Sequence, residues 1–181
     1  MINVYIRRWK KEDEPWGRIL ASILKRDYQM EFCPEILREK DGKPYLKDYP
    51  VYFNVSHSGE YLAIAVSESP VGVDIQKEKN IREGMYQKVV QKEERPLICT
   101  DRQKDFLRLW ALKESFVKAE GRGLRIPMKD YYFTKENGRY VVNYIGQKAP
   151  WAFTIEETLV AGYVIAVCGA ETDVFWKVEQ R

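Results

Sequence analysis

The chain has 181 residues, 45% of them apolar and 13% aromatic, which is enough for one hydrophobic core or for two small units sharing one. Its 30 Lys and Arg against 27 Asp and Glu leave a net charge of +3, which speaks against a polybasic nucleic-acid binder and against an acidic disordered chain. Three scattered cysteines (Cys33, Cys99 and Cys168) and a single histidine, His57, supply neither a disulfide framework nor a Cys/His zinc site.

The N-terminus MINVYIRRWKKEDE lacks the apolar core of a secretory signal. The longest apolar run, Leu159 to Ala170, is too short and too interrupted for a membrane helix. A soluble, cytoplasmic protein with no membrane association is expected.

In chain order, Ile2, Val4 and Ile6 alternate as a first strand. Pro15 opens a helix whose stripe Ile19, Leu20, Ile23 and Leu24 carries it to about Tyr28. Residues 35–50, with Gly42 and Pro44, read as an exposed loop. Val51, Phe53 and Val55 alternate again, a turn follows at 56–60, and strands at 61–66 and 71–75 complete an antiparallel meander. Residues 78–100 suggest short helices.

The strongest helix is 105–120, with Phe106, Leu109, Trp110 and Val117 as its buried face and Gly121 and Gly123 as its stop. Strands are expected at 131–134, 140–144, 151–155 and 160–168, with a hairpin at Asn137-Gly138. Residues 61–66 (YLAIAV) and 163–167 (YVIAV) echo each other. The fold class is therefore α+β, read as a pseudo-dimer of two similar halves, each a helix on a small antiparallel sheet. The halves are 1–76 and 77–181, with a cleft between them as the natural ligand site.

Three clusters could carry chemistry. Asp74 ends the buried run Val71-Gly72-Val73-Asp74-Ile75. Glu114 and Lys118 lie one turn apart on one helix face. The polar turn from Asn54 to Gly59 holds His57. Each has a plain alternative: a turn-stabilising Asp, a surface ion pair worth ~0.2–0.5 kcal/mol, and a histidine bonded to local backbone.

The strings FNVSHSGEYLAIAVSESPVGVDIQ (53–76) and LWALKESFVKAEGRGL (109–124), with Gly42-Lys43-Pro44 upstream, resemble the 4′-phosphopantetheinyl transferase superfamily, surfactin-synthetase-activating (Sfp) type. The resemblance implies transfer of the phosphopantetheine arm of coenzyme A to a serine of an acyl, peptidyl or polyketide carrier protein. Adenosine 3′,5′-bisphosphate would leave, and a monomer would do the work. It implies Mg²⁺ held by Asp74 and Glu114, with Gln76 at a position where this type often carries a second acid. Glu114, or a water it orients, would take the serine proton, and Lys118 would lie on the phosphate. Lys43, Ser56 and His57 match positions that contact the nucleotide phosphates.

Arg122 and Arg125 are candidates for carrier docking, and Arg7, Arg8, Lys10 and Lys11 are basic residues without an assigned role. Gln76 and the short N-terminal segment motivate the alternative of a non-catalytic, regulatory coenzyme A-binding homologue. Nucleic-acid binding rests only on a mildly basic composition, and unclustered charge disfavours it.

Overall fold

The structure, a computed structural model, describes residues 1–31, 34–122, 125–171 and 173–179. Cys33 and Gly123, both named above, lie outside the described residues. Strand β1 (Ile2–Arg8) is followed by helix α1 (Trp16–Asp27), a small hairpin β2 (Ile36–Arg38) and β3 (Pro44–Leu46), and three long strands. These are β4 (Tyr52–Ser58), β5 (Tyr61–Ser67) and β6 (Val71–Lys77). Helix α2 (Glu83–Val89), a 3₁₀ segment (Lys92–Leu97) and helix α3 (Arg102–Glu120) come next. Strands β7 (Tyr131–Glu136), β8 (Arg139–Tyr144), β9 (Gln147–Lys148), β10 (Ala152–Glu156), β11 (Tyr163–Gly169) and β12 (Val174–Glu179) close the chain.

Two sheets stack face to face. One has the order β12-β1-β5-β4, with β12 parallel to β1 and the other pairs antiparallel. The second is antiparallel, in the order β10-β11-β6. The period-two alternation of each strand decides what its faces bury. Val4, Ala63 and Ala65 meet Val71, Val73, Ile165 and Val167 between the sheets. Tyr5, Leu62, Ile64 and Val66 point the other way, onto Ile19, Leu20, Ile23 and Leu24 of α1. Full burial of each such side chain contributes roughly 1.5–3 kcal/mol. On the far side, Val164, Ala166 and Cys168 of β11 pack under α3. Helix, sheet, sheet, helix is thus a mixed α+β architecture.

Several expectations change. The meander does not form: β5 pairs with β1 and β4, while β6 crosses to the second sheet and pairs with β11. Alternation marks a strand but not its partner. The division at residue 76 accordingly leaves β6 hydrogen-bonded to C-terminal strands and β12 hydrogen-bonded to β1. The 35–50 loop contains the β2–β3 hairpin, whose three-residue strands are too short to show a period. Residues 56–58 belong to β4, so only Gly59 and Glu60 turn, with Gly59 at φ +54°.

Helix α3 starts at Arg102, because the Asp101 side chain accepts from the Gln103 and Lys104 amides. It ends where Gly121 takes φ +75°. Its buried surface wraps most of the helix and includes Leu107, Leu112, Ser115 and Phe116, whereas Trp110 and Val117 are only half-buried. Among the described residues no helix is long and apolar enough to cross a membrane.

Candidate active site

Gly72 positions everything else. It faces α3, and a Cβ there would stand 2.0 Å from the Ser115 carbonyl oxygen and 2.5 Å from the Ala119 nitrogen. Only glycine lets α3 lie this close to β6. Two residues on, and therefore on the same face, Asp74 meets the helix where it presents Lys118.

Asp74 is 2% exposed, and both of its carboxylate oxygens accept hydrogen bonds. Its Oδ1 accepts from Ser56 Oγ at 2.9 Å and from Lys118 Nζ at 2.7 Å, and its Oδ2 accepts from Gln76 Nε2 at 2.7 Å. Lys118 also donates to Ser56 Oγ at 3.0 Å and to the Val73 carbonyl at 3.1 Å. Glu114, one turn back on α3, is half-buried, and its carboxyl is pushed up. Burial is the main cause, with Asp74 adding to it and Lys118 opposing. Two acids and one lysine therefore share this corner between β6 and α3. Among the described residues no three or more His, Cys, Asp or Glu gather as a metal-holding group, so a hard divalent cation here would take these two carboxylates and draw the rest of its shell from water and substrate oxygens.

The residues expected at the nucleotide separate. Ser56 is buried inside the Asp74–Lys118 cluster. His57 is on the opposite face of β4, exposed, with its ring 5.3 Å from Trp9. Trp9 borders a polar cleft of about 490 Å³ lined by Arg7, Arg8 and Arg18 and by the acids Asp13 and Glu14, with Arg7 3.7 Å from Glu14 and its Nε buried without a hydrogen-bond partner among the described residues. Lys43 sits past Lys118, at the end of α3, donating to the Ala119 carbonyl at 3.1 Å. Burial lowers its pKa. A cleft of about 310 Å³ opens beside it, lined by Tyr45, Tyr49, Tyr52 and Phe53. Arg125 is paired with Asp41 at 2.5 Å, and Arg122 donates to the Tyr144 hydroxyl at 3.1 Å.

Two features were not assigned from the sequence. Lys113 and Glu94 are both 0% exposed and form an ion pair at 2.7 Å, with the ammonium off the line of a hydrogen bond and 4.8 Å from the Tyr131 ring centroid. Glu94 also accepts from the Gln91 and Phe133 amides at 2.9 and 3.0 Å. The second is the alternating row Asn54, Ser56 and Ser58, whose oxygens reach β6.

A close-packed pair of sheets thus brings Asp74 of β6 together with Glu114 and Lys118 of α3. A model of the 4′-phosphopantetheinyl transferase superfamily matches residues 70–168, the stretch that carries Asp74, Glu114 and Lys118. The 4′-phosphopantetheinyl transferase ffp of Bacillus subtilis is 34% identical over 162 residues, covering 86% of this chain and 72% of that protein. The 4′-phosphopantetheinyl transferase Sfp of Bacillus subtilis strain 168 is 31% identical over the same shares. Among solved structures, the Thermotoga maritima holo-[acyl-carrier-protein] synthase is similar with a TM-score of 0.46 at 22% identity, over 55% of this chain and 61% of that one. The chain belongs to the 4′-phosphopantetheinyl transferase superfamily and is a transferase of that kind.

Proposed function

We propose that this protein moves the phosphopantetheine arm of coenzyme A onto a serine hydroxyl of an apo carrier protein, with Mg²⁺ held by Asp74 and Glu114. The observation that carries the reading is the Asp74–Lys118 contact at 2.7 Å with Glu114 one helical turn away. In the reaction the serine oxygen bonds to the phosphorus that bears pantetheine, and the bond from that phosphorus to the bridging oxygen breaks. Adenosine 3′,5′-bisphosphate leaves with the electron pair. A bound Mg²⁺ would neutralise pyrophosphate charge and stabilise the leaving oxygen.

The residues of the chain supply the rest. Glu114, on α3 beside Asp74, takes the serine proton directly or through a water. Lys118 offsets charge on the leaving side. The Gln76 amide nitrogen is spent on Asp74, so its oxygen is the atom that could turn toward a metal-bound water. Lys43 offers positive charge to the nucleotide phosphates, and His57 offers hydrogen bonds beside the cleft of Arg7, Arg8 and Arg18, whose charge Asp13 and Glu14 partly offset. The halves 1–76 and 77–181 are read as related units from the inner place of β5 in one sheet and β11 in the other, with β6 and β12 each paired across the division.

The test is transfer of labelled phosphopantetheine by the protein and by Asp74→Ala, Glu114→Ala and Lys118→Ala. The acid variants should lose transfer while keeping the fold. Lys118→Ala should lower kcat more than it weakens coenzyme A binding. Near-normal turnover in either acid variant contradicts the assignment.

A further inference from the structure

A tyrosine of the second sheet reaches into the first. Tyr163 of β11 is 5% exposed and stands opposite Lys77 of β6, three residues along from the Ala166–Asp74 pair. Its hydroxyl accepts from the Glu60 N–H at 3.2 Å, in the turn between β4 and β5. Gly59 makes room for it: the backbone there has φ +54°, and a Cβ would stand 2.4 Å from the Tyr163 oxygen. Next to the turn, Ser58 Oγ accepts from the Lys77 N–H at 3.0 Å. The turn of the first sheet is thus tied to the second at two points.

From the turn the contacts run to His57 and to the arginine cleft. The Glu60 carbonyl accepts from the Trp9 N–H at 2.8 Å, and the Trp9 ring lies 5.3 Å from the His57 ring. A second arm runs through Tyr61, whose ring meets Tyr163 edge-on at 5.0 Å and whose hydroxyl accepts from Arg8 Nε at 3.2 Å. Trp9 and Arg8 both line the cleft beside His57. Buried rings in a close-packed interior have little room to move, so a displacement of Tyr163 is passed along both arms.

In the transferase reading one coenzyme A spans His57 on the first sheet and Asp74 on the second, so the spacing of the sheets at this end is part of its fit. We infer that Tyr163 is a positioning residue for coenzyme A, which acts through the Glu60 backbone and Tyr61 by setting Trp9, His57 and Arg8 against β6. This rests on the transferase reading above and brings a residue of β11 to the nucleotide end of the site. A preorganised site binds more tightly because less ordering is left to do on binding.

The experiment compares the unaltered protein with Tyr163→Phe and with Ile165→Val, a control that loosens the same core without removing a hydrogen bond. Calorimetry well below the melting temperature gives the Kd of coenzyme A and of adenosine 3′,5′-bisphosphate, and carrier loading gives kcat. His57 is the only histidine, so its ring resonances in a histidine-labelled, ligand-free sample report on the contact with Trp9. Since one neutral hydrogen bond is worth a factor of a few to about ten, Tyr163→Phe should weaken both nucleotides about three- to tenfold, keep kcat at saturating coenzyme A within about twofold and shift the His57 resonances. Ile165→Val should leave all three as they are. Should Tyr163→Phe fail to fold, Gly59→Ala, whose methyl group displaces the hydroxyl, carries the same expectation. Unchanged affinity in Tyr163→Phe overturns the inference, as does an equal loss in Ile165→Val. Weaker binding with unmoved His57 resonances makes Tyr163 a direct ligand contact and overturns it too. No loading by the unaltered protein, although both nucleotides bind, overturns the transferase reading instead.

Discussion

Gly72 and Ser115 touch so closely that a methyl group on Gly72 would stand 2.0 Å from the Ser115 carbonyl oxygen. The obstacle is helix backbone, which cannot swing aside as a long side chain can. Gly72→Ala must push α3 off β6, and overpacking of this kind costs roughly 1–3 kcal/mol or more. Because α3 also carries Glu114 and Lys118, transfer should fall further than the stability loss alone explains. Urea denaturation beside kcat measured well below the melting temperature separates the two effects. Unchanged stability and turnover would contradict the packing described here.

The buried Glu94–Lys113 pair should behave asymmetrically. Lys113→Met strands a carboxylate at 0% exposure, and breaking such a pair costs about 3–5 kcal/mol. Adding Glu94→Gln removes the orphaned charge and should recover more than half of the loss, because an amide oxygen can still accept a backbone N–H. Equilibrium unfolding of the two single variants and the double variant measures this directly. Strict additivity would mean that the two residues do not interact.

Position 76 should tune the metal requirement. An amide supplies an oxygen without charge, so Gln76→Glu should lower the Mg²⁺ concentration that gives half-maximal transfer. A Mg²⁺ titration of the loading rate reads it, and an unchanged midpoint would place residue 76 outside the metal sphere.

Acid stability should depend on Asp105. Its carboxylate accepts from the Cys99, Thr100 and Asp101 amides at 3.0, 2.9 and 3.2 Å and pairs with Arg108 at 2.6 Å. Burial alone would raise its pKa, but these hydrogen bonds outweigh it and the net direction is down. The folded pKa is below the unfolded value of about 3.9, so the stabilisation is present above that pH and is lost as pH falls through the folded value. Asp105→Asn should be less stable at neutral pH, with a shallower loss of stability below pH ~4. Denaturation midpoints from pH 7 to 2.5 test it. A variant as stable as the parent at pH 7 would contradict the role.

Local pattern made some of this legible and left some of it hidden. The runs at 61–66 and 163–167 and the helix that became α3 announce themselves because their burial is written into period and length. The hairpin of Ile36–Arg38 with Pro44–Leu46 and the parallel return of Val174–Glu179 do not, since short strands lack a period and pairing is non-local. The same limit hid the transfer of β6 between sheets. At the site, Asp74, Glu114 and Lys118 came forward through their resemblance to a family, whereas spacing alone fitted a surface pair. Asn54 and Gly72 sat inside the motifs, yet their roles depend on what crosses from β4 and α3, and no local rule supplies that. His57 looked like part of one polar turn with Ser56. Strand alternation puts the two on opposite faces.

The most direct measurement is intact-protein mass spectrometry of an apo carrier protein incubated with this protein, coenzyme A and Mg²⁺. The account predicts a mass gain of one phosphopantetheine arm on the carrier, abolished by chelating Mg²⁺ and by Asp74→Ala. Carriers of acyl, peptidyl and polyketide type that all stay apo, while coenzyme A demonstrably binds, would contradict it and leave a binding protein in place of a transferase.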